Sequence, residues 1–223
     1  MPPPMTRKDW LVPAGLVLLA LVPVIAGAVR LQDLASGAST PASARFHDNP
    51  VPVAIHIVSA TWFALAGAFQ FAPALRRRNR WHRWSGRSVG PMGVFAALSG
   101  IWMTLVYPWA NADGEAVFVA RLIFGTGMAV ALVLGVTTIL KGDIAAHKAW
   151  MLRAYAIGMA AGTQVFTHLP WFILVGQPTE GPRAVMMIGA WMINLAIAEW
   201  LIARETRRRA GPSPTRRQCL KPS

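Results

Sequence analysis

Six long apolar runs, separated by short polar or basic connections, cover most of this chain. They extend over residues 10–29, 51–75, 88–109, 122–140, 150–175 and 184–203. Each is close to the roughly 20 residues a helix needs to cross about 30 Å of hydrocarbon. None shows the polar-in, apolar-out alternation of a barrel strand, and a segment in lipid must satisfy its own backbone, so the pattern predicts helices. The expected fold is all-α, a polytopic membrane bundle of six transmembrane helices over residues 10–203. A short segment, residues 1–9, precedes it, and a polar, Pro-containing tail, residues 204–223, follows and is expected to be disordered.

Composition agrees with this reading. Hydrophobic residues make up 54% of the chain and charged residues 14%, with a mean hydropathy of +0.41, too apolar for an ordinary soluble domain. The net charge of +13 does not indicate a nucleic-acid partner, because the basic residues sit in connections between apolar runs and not on a folded polar surface. Their distribution sets orientation instead. Counting alternate connections together, 18 Lys and Arg fall on one side and 4 on the other, which places both termini in the cytoplasm by the positive-inside rule. The expected location is the bacterial inner membrane, with the basic tail lying against anionic lipid at roughly 1 kcal/mol per basic residue. A competing reading takes the first run as a cleaved signal, since it ends in Ala26, Gly27 and Ala28. The run is longer than the usual h-region of about 7 to 15 residues, which favours a retained span. The lone cysteine, Cys219, leaves no internal disulfide and no Cys-based metal site.

Four histidines lie in or beside the runs and are the candidate chemistry. His82 and His147 belong to the cytoplasmic edges of the third and fifth spans and form an inner pair. His56, in the second span, and His168, in the fifth, form a weaker outer pair. Neutral imidazoles facing each other between helices are what b-type haem iron takes as axial ligands. His147 and His168 are 21 positions apart, about 31 Å of rise and about 60° around a helix, so a single helix offers an imidazole to each membrane face. Arg83, Arg87 and Lys148 stand beside the inner pair, where they would neutralise haem propionates. Against this stands the bland alternative that each histidine hydrogen-bonds a neighbouring helix and nothing more.

No Walker loop, G-x-S-x-G or His-Glu-x-x-His motif is present. Glu199, toward the cytoplasmic end of the sixth span, needs a cationic partner in lipid, and Arg153 at matching depth is the expected one, forming a structural ion pair. Gln70, Gln164 and Asn194 are expected to bond between helices. The prolines lie mainly near span ends, which argues against the broken mid-membrane helices of many transporters.

The segments HIVSATWFALAGAFQFAP from His56, WHRWSGR from Trp81, HKAWMLRAYAIGMAAGTQ from His147 and INLAIAEW from Ile193 together resemble a family of uncharacterised bacterial membrane proteins, domain of unknown function 2306, over roughly residues 10 to 205. The resemblance implies a multi-helix integral membrane protein and no established reaction. A looser similarity is to two-haem transmembrane cytochromes of the b-561 type, which carry four histidines on four central helices. Here the fourth span has none, and His168 would have to substitute. The expectation is a transmembrane electron carrier binding haem b, with a membrane redox partner or a second copy beside it. The alternative is a cofactor-free protein, either a small-molecule permease or a structural subunit of a membrane complex.

Overall fold

The apolar runs fold as helices, and no strand occurs among the described residues, which in this computed structural model are 8–37, 43–72, 75 and 79–210. In chain order the helices are α1 (Lys8–Ser36), α2 (Pro50–Gln70), α3 (Asn79–Val106), α4 (Glu115–Leu140), α5 (Ile144–Gly158), α6 (Ala160–Leu174) and α7 (Glu180–Ala210), with one 3-10 turn at Ala44–Phe46. Pro50 occupies the start of α2, where its missing N–H is no loss. Asp143 caps α5 by accepting the Ala146 amide at 2.9 Å. Helix α7 opens on Glu180 and closes on Arg207, Arg208 and Arg209, each charge opposing the helix dipole.

Five helices, α1, α2, α3, α4 and α7, are long and apolar enough to cross a membrane. Their outward faces carry exposed Leu18, Val22, Ile123, Val133 and Ile197, large side chains that only lipid would cover. The fifth apolar run differs from expectation: it is broken at Met159 into two 15-residue helices, each about 22 Å long. No proline causes the interruption. Several helices also overrun their apolar limits. Helix α3 begins at Asn79 and takes in the basic segment around His82, and α7 continues past residue 203 to Ala210, so the tail is helical there. Residues 211–223 lie outside the described residues.

Neighbours in the chain pack side by side from α1 to α5, most extensively α2 on α3 and α4 on α5. The broken run then crosses the bundle. Its first half, α5, lies against α4, α7 and α2, whereas its second half, α6, lies against α7 and α1. Phe63, 2% exposed, sits at the crossing, in a slot that exists because Gly93 of α3 and Gly158 of α5 have no side chains; a Cβ at either would come within 2.6 to 2.8 Å of its ring. Tyr155 lies tilted beside it, ring centroids 5.6 Å apart, and donates its hydroxyl to the Ala64 carbonyl at 2.8 Å. Gly162 lets α6 touch α1 backbone to backbone, since a Cβ there would run into the Leu19 carbonyl oxygen. In lipid, where burying apolar surface drives little helix association, such close packing supplies the attraction.

Candidate functional site

The break at Met159 is halfway along the fifth run and inside the core. Met159 is 4% exposed and the adjoining Ala160 is fully buried. Its backbone, φ −75° and ψ −6°, is flattened from helical values toward a turn. The Met159 carbonyl then accepts the Gly162 amide at 3.0 Å, three residues on, the tighter 3-10 spacing. A continuous helix would pair the Ala156 carbonyl with the Ala160 amide. Here it accepts Nδ2 of Asn194 on α7 at 3.0 Å, and the same amide's Oδ1 accepts the Thr163 hydroxyl at 2.8 Å. One side chain from α7 thus holds both halves of the broken run and satisfies backbone that lipid could not. On the α6 side Thr167 donates to the Met186 carbonyl of α7 at 3.0 Å.

Three imidazoles hold Nδ1 against a backbone carbonyl. His56 bonds Ala96 of α3 at 2.9 Å, with Ser99 Oγ at 3.2 Å; His147 bonds Gly135 of α4 at 2.7 Å; His168 bonds Gln164 of its own helix at 2.8 Å. His82 stands half-buried in the first turns of α3. The members of each pair sit on different helices, His82 on α3 and His147 on α5, His56 on α2 and His168 on α6. An apolar groove lies between α4 and α7, and a small cleft opens beside Asp113. The His56 ring lies tight against Gly100 of α3. At the inner pair, His147 alone shows a ligand-like arrangement, with Nε2 left as a lone pair, and residues 76–78 near His82 lie outside the described residues. No group of three or more His, Cys, Asp or Glu placed to hold a metal ion occurs among the described residues.

Arg153 and Glu199 meet. Nε donates to Oε1 at 2.5 Å and Nη2 to Oε2 at 2.9 Å, a two-point fork between α5 and α7, and the guanidinium lies over the Trp150 ring at 4.6 Å. Toward the chain ends Lys148 comes within 3.9 Å of Glu205.

At the opposite end of the bundle, Asp113 in the α3–α4 connection has a side chain 2% exposed, gripped by Arg121 of α4 at 2.6 Å and by Arg183 of α7 at 2.7 Å. Burial by itself would raise the pKa of this carboxyl, but the two guanidiniums outweigh it and hold the group below its ordinary range. The preceding residue, Ala112, has φ +63°, a left-handed conformation costing a non-glycine about 1 kcal/mol. Arg45, in the 3-10 turn, reaches across to donate to the Pro108 carbonyl at 3.2 Å.

Residues 53–202 match the family model described as Predicted membrane protein (DUF2306), more than half of the chain. The chain belongs to this family. No curated protein and no solved structure matches it. As a DUF2306 membrane protein it takes no reaction from the family description, so its chemistry has to be read from its own residues. Two features of this DUF2306 chain escaped the sequence reading. The break at Met159 has no proline to announce it, and the half-buried Asn194 that clamps it reads in the sequence as an ordinary interhelical hydrogen-bonding residue. The Asp113 cluster joins residues 70 positions apart and leaves no local motif.

Proposed function

We propose that this protein crosses the cytoplasmic membrane six times with both termini inside, the two halves of the broken run forming the fifth crossing, and that it passes a small, neutral, polar solute along that crossing without a bound cofactor. The observation that carries the reading is the interruption at Met159 with Asn194 and Thr163 beside it. Discontinuous helices near the bilayer midplane supply polar backbone and side-chain groups to solutes in many transporters. The groups bonded at this break are neutral, which disfavours an ion that would have to shed its water there. The test is stopped-flow light scattering of proteoliposomes challenged with glycerol or urea. Permeability should exceed that of empty vesicles and fall toward their value in Asn194→Leu and Thr163→Val, with both variants checked for folding by thermal unfolding. Permeability equal to empty vesicles for every solute tried overturns the reading.

A second reading rests on His147. Its Nδ1 donates to the Gly135 carbonyl, the support that usually fixes a ligating imidazole with Nε2 toward the metal. On this reading His147, with His82, holds a haem b that would supply one-electron transfer to a membrane partner. Protein expressed with ample haem should then show the absorption of a b-type haem, reduced and oxidised, and His147→Ala should remove it. A spectrum without haem absorption ends this reading and leaves the first standing.

A further inference from the structure

The end of the bundle away from the chain termini gathers four arginines, Arg30, Arg45, Arg121 and Arg183, from three separate parts of the chain. Three have a carboxylate within ion-pair distance. Arg121 and Arg183 share both oxygens of Asp113, which leaves that carboxylate fully used. Arg45 has no carboxylate within ion-pair distance among the described residues, and the hydrogen bond it makes is to a neutral carbonyl. Its guanidinium also lies over the Phe46 ring at 4.5 Å, with that of Arg30 over the same ring at 5.3 Å. The Nη1 of Arg30 is buried without a hydrogen-bond partner, its nearest carboxylate, Asp33, being 3.9 Å away. Beside Arg45 and Arg121 a small cleft opens between the α1–α2 and α3–α4 connections, walled by Thr104, Tyr107 and Trp109.

A guanidinium taken partly out of water beside others of its kind is destabilised unless an anion completes it. Burial lowers the pKa of Arg45; Asp113 counters this, and Arg121, Arg30 and Arg183 lower it further. Glu180 packs over Gly114 at the far rim of the cleft and forms no ion pair with Arg45. The cleft is narrow and admits about one oxyanion head, not a whole metabolite.

We propose that this cleft binds a single anionic group, a phosphate or a carboxylate, held by the Arg45 guanidinium with Arg121 in the same lining and Arg30 over the Phe46 ring outside it; the Asp113 carboxylate, which also lines the cleft, is already bonded to Arg121 and Arg183. The same chemistry is offered by a free anion and by the headgroup of an anionic lipid in the adjoining leaflet, and the cleft stands at the end of membrane-spanning helices where either would reach it. The site is independent of the solute path at Met159, from which it is separated along α4 and α7.

The test uses the full chain purified in a maltoside detergent, which carries no phosphate. Its thermal unfolding midpoint is followed against inorganic phosphate, and separately against phosphatidylglycerol, at constant ionic strength. A ligand that binds only the folded state raises the midpoint in a saturable way. Loss of one charge-assisted contact weakens binding about tenfold, so Arg45→Gln should need about ten times more ligand for the same shift. Arg30→Gln serves as the second variant if Arg45→Gln folds poorly, and Arg204→Gln, a basic residue at the other end of the bundle, should behave as wild type. A saturable shift with both ligands identifies a general anion site, and a shift with phosphatidylglycerol alone identifies the lipid headgroup. If neither ligand gives a saturable shift, or if Arg45→Gln and Arg30→Gln respond as wild type does, the proposal fails.

Discussion

Replacing Asp113 by alanine should be among the most damaging single changes outside the core. The carboxylate is 2% exposed and both its oxygens are bonded, whereas its partners Arg121 and Arg183 are 28% and 25% exposed. Deleting it strands two partly buried guanidiniums at 2.6 and 2.7 Å from where their counter-charge stood. Breaking a buried pair costs about 3–5 kcal/mol; because the arginines keep some contact with water, the lower end, about 3 kcal/mol, applies. Asp113→Asn keeps the shape and two acceptor lone pairs, so its loss should be smaller. The assay is unfolding in mixed micelles by titration with a denaturing detergent, run on Asp113→Ala, Arg183→Ala and the double variant. The double variant should lose less than the two single losses together, because each single change already breaks the shared contact. Losses that add strictly, or an Asp113→Ala loss under about 1 kcal/mol, the range of a solvated pair, would refute the buried-cluster account. The pH dependence has a definite sign. A carboxyl whose folded pKa lies below its unfolded value stabilises fully above the unfolded value near 3.9. Its contribution should be lost as pH falls from about 5 toward the depressed folded pKa.

Arg153→Ala and Glu199→Ala should each lower the unfolding midpoint, with the double variant less harmed than additivity requires; since Glu199 is 51% exposed, coupling should be nearer the exposed-pair range of about 1 kcal/mol than the buried one. Gly162→Ala forces α6 off α1 at the Leu19 carbonyl and should destabilise by about 1–3 kcal/mol, read in the same micelle titration; an unchanged midpoint would show that the contact is not tight. Ala112→Gly should stabilise slightly or leave stability unchanged, by relieving a left-handed alanine against a more flexible unfolded chain. Cys219 should resist a membrane-impermeant thiol reagent in intact spheroplasts and react once the membrane is broken, whereas immediate labelling would reverse the orientation.

Hydropathy alone located the long apolar helices, because in lipid the helix is the open-ended structure that leaves no backbone group unpaired. It could not locate helix ends. Residues 79–87 are basic and read as a connection, yet they are helical, since Arg, Trp and Ser carry no helix-breaking signal and interfacial polar groups are tolerated there. The partnership of Arg153 with Glu199 follows from matching depth on charged positions that are rare in the bundle. The histidines show the opposite case. Periodicity put His147 and His168 on similar sides of one ideal helix, but the run between them is not one helix, and the break at Met159 removes the basis of that geometry. Which helix each imidazole faces depends on the packing order of α1, α4, α5 and α6, which a single sequence does not encode locally.

The clamp at Asn194 also bears on biogenesis. A nascent chain enters the bilayer from its N-terminus onward, so α5 and α6 are made before α7 exists. During that interval the Ala156 carbonyl lacks the amide that later satisfies it, and an unmet backbone group in hydrocarbon costs several kcal/mol. The broken run must therefore wait as a continuous helix, or remain beside the insertion machinery, until α7 arrives and permits the break. Truncation before Asn194 should leave α5 and α6 with a different backbone geometry, and the bend at Met159 belongs to the completed bundle.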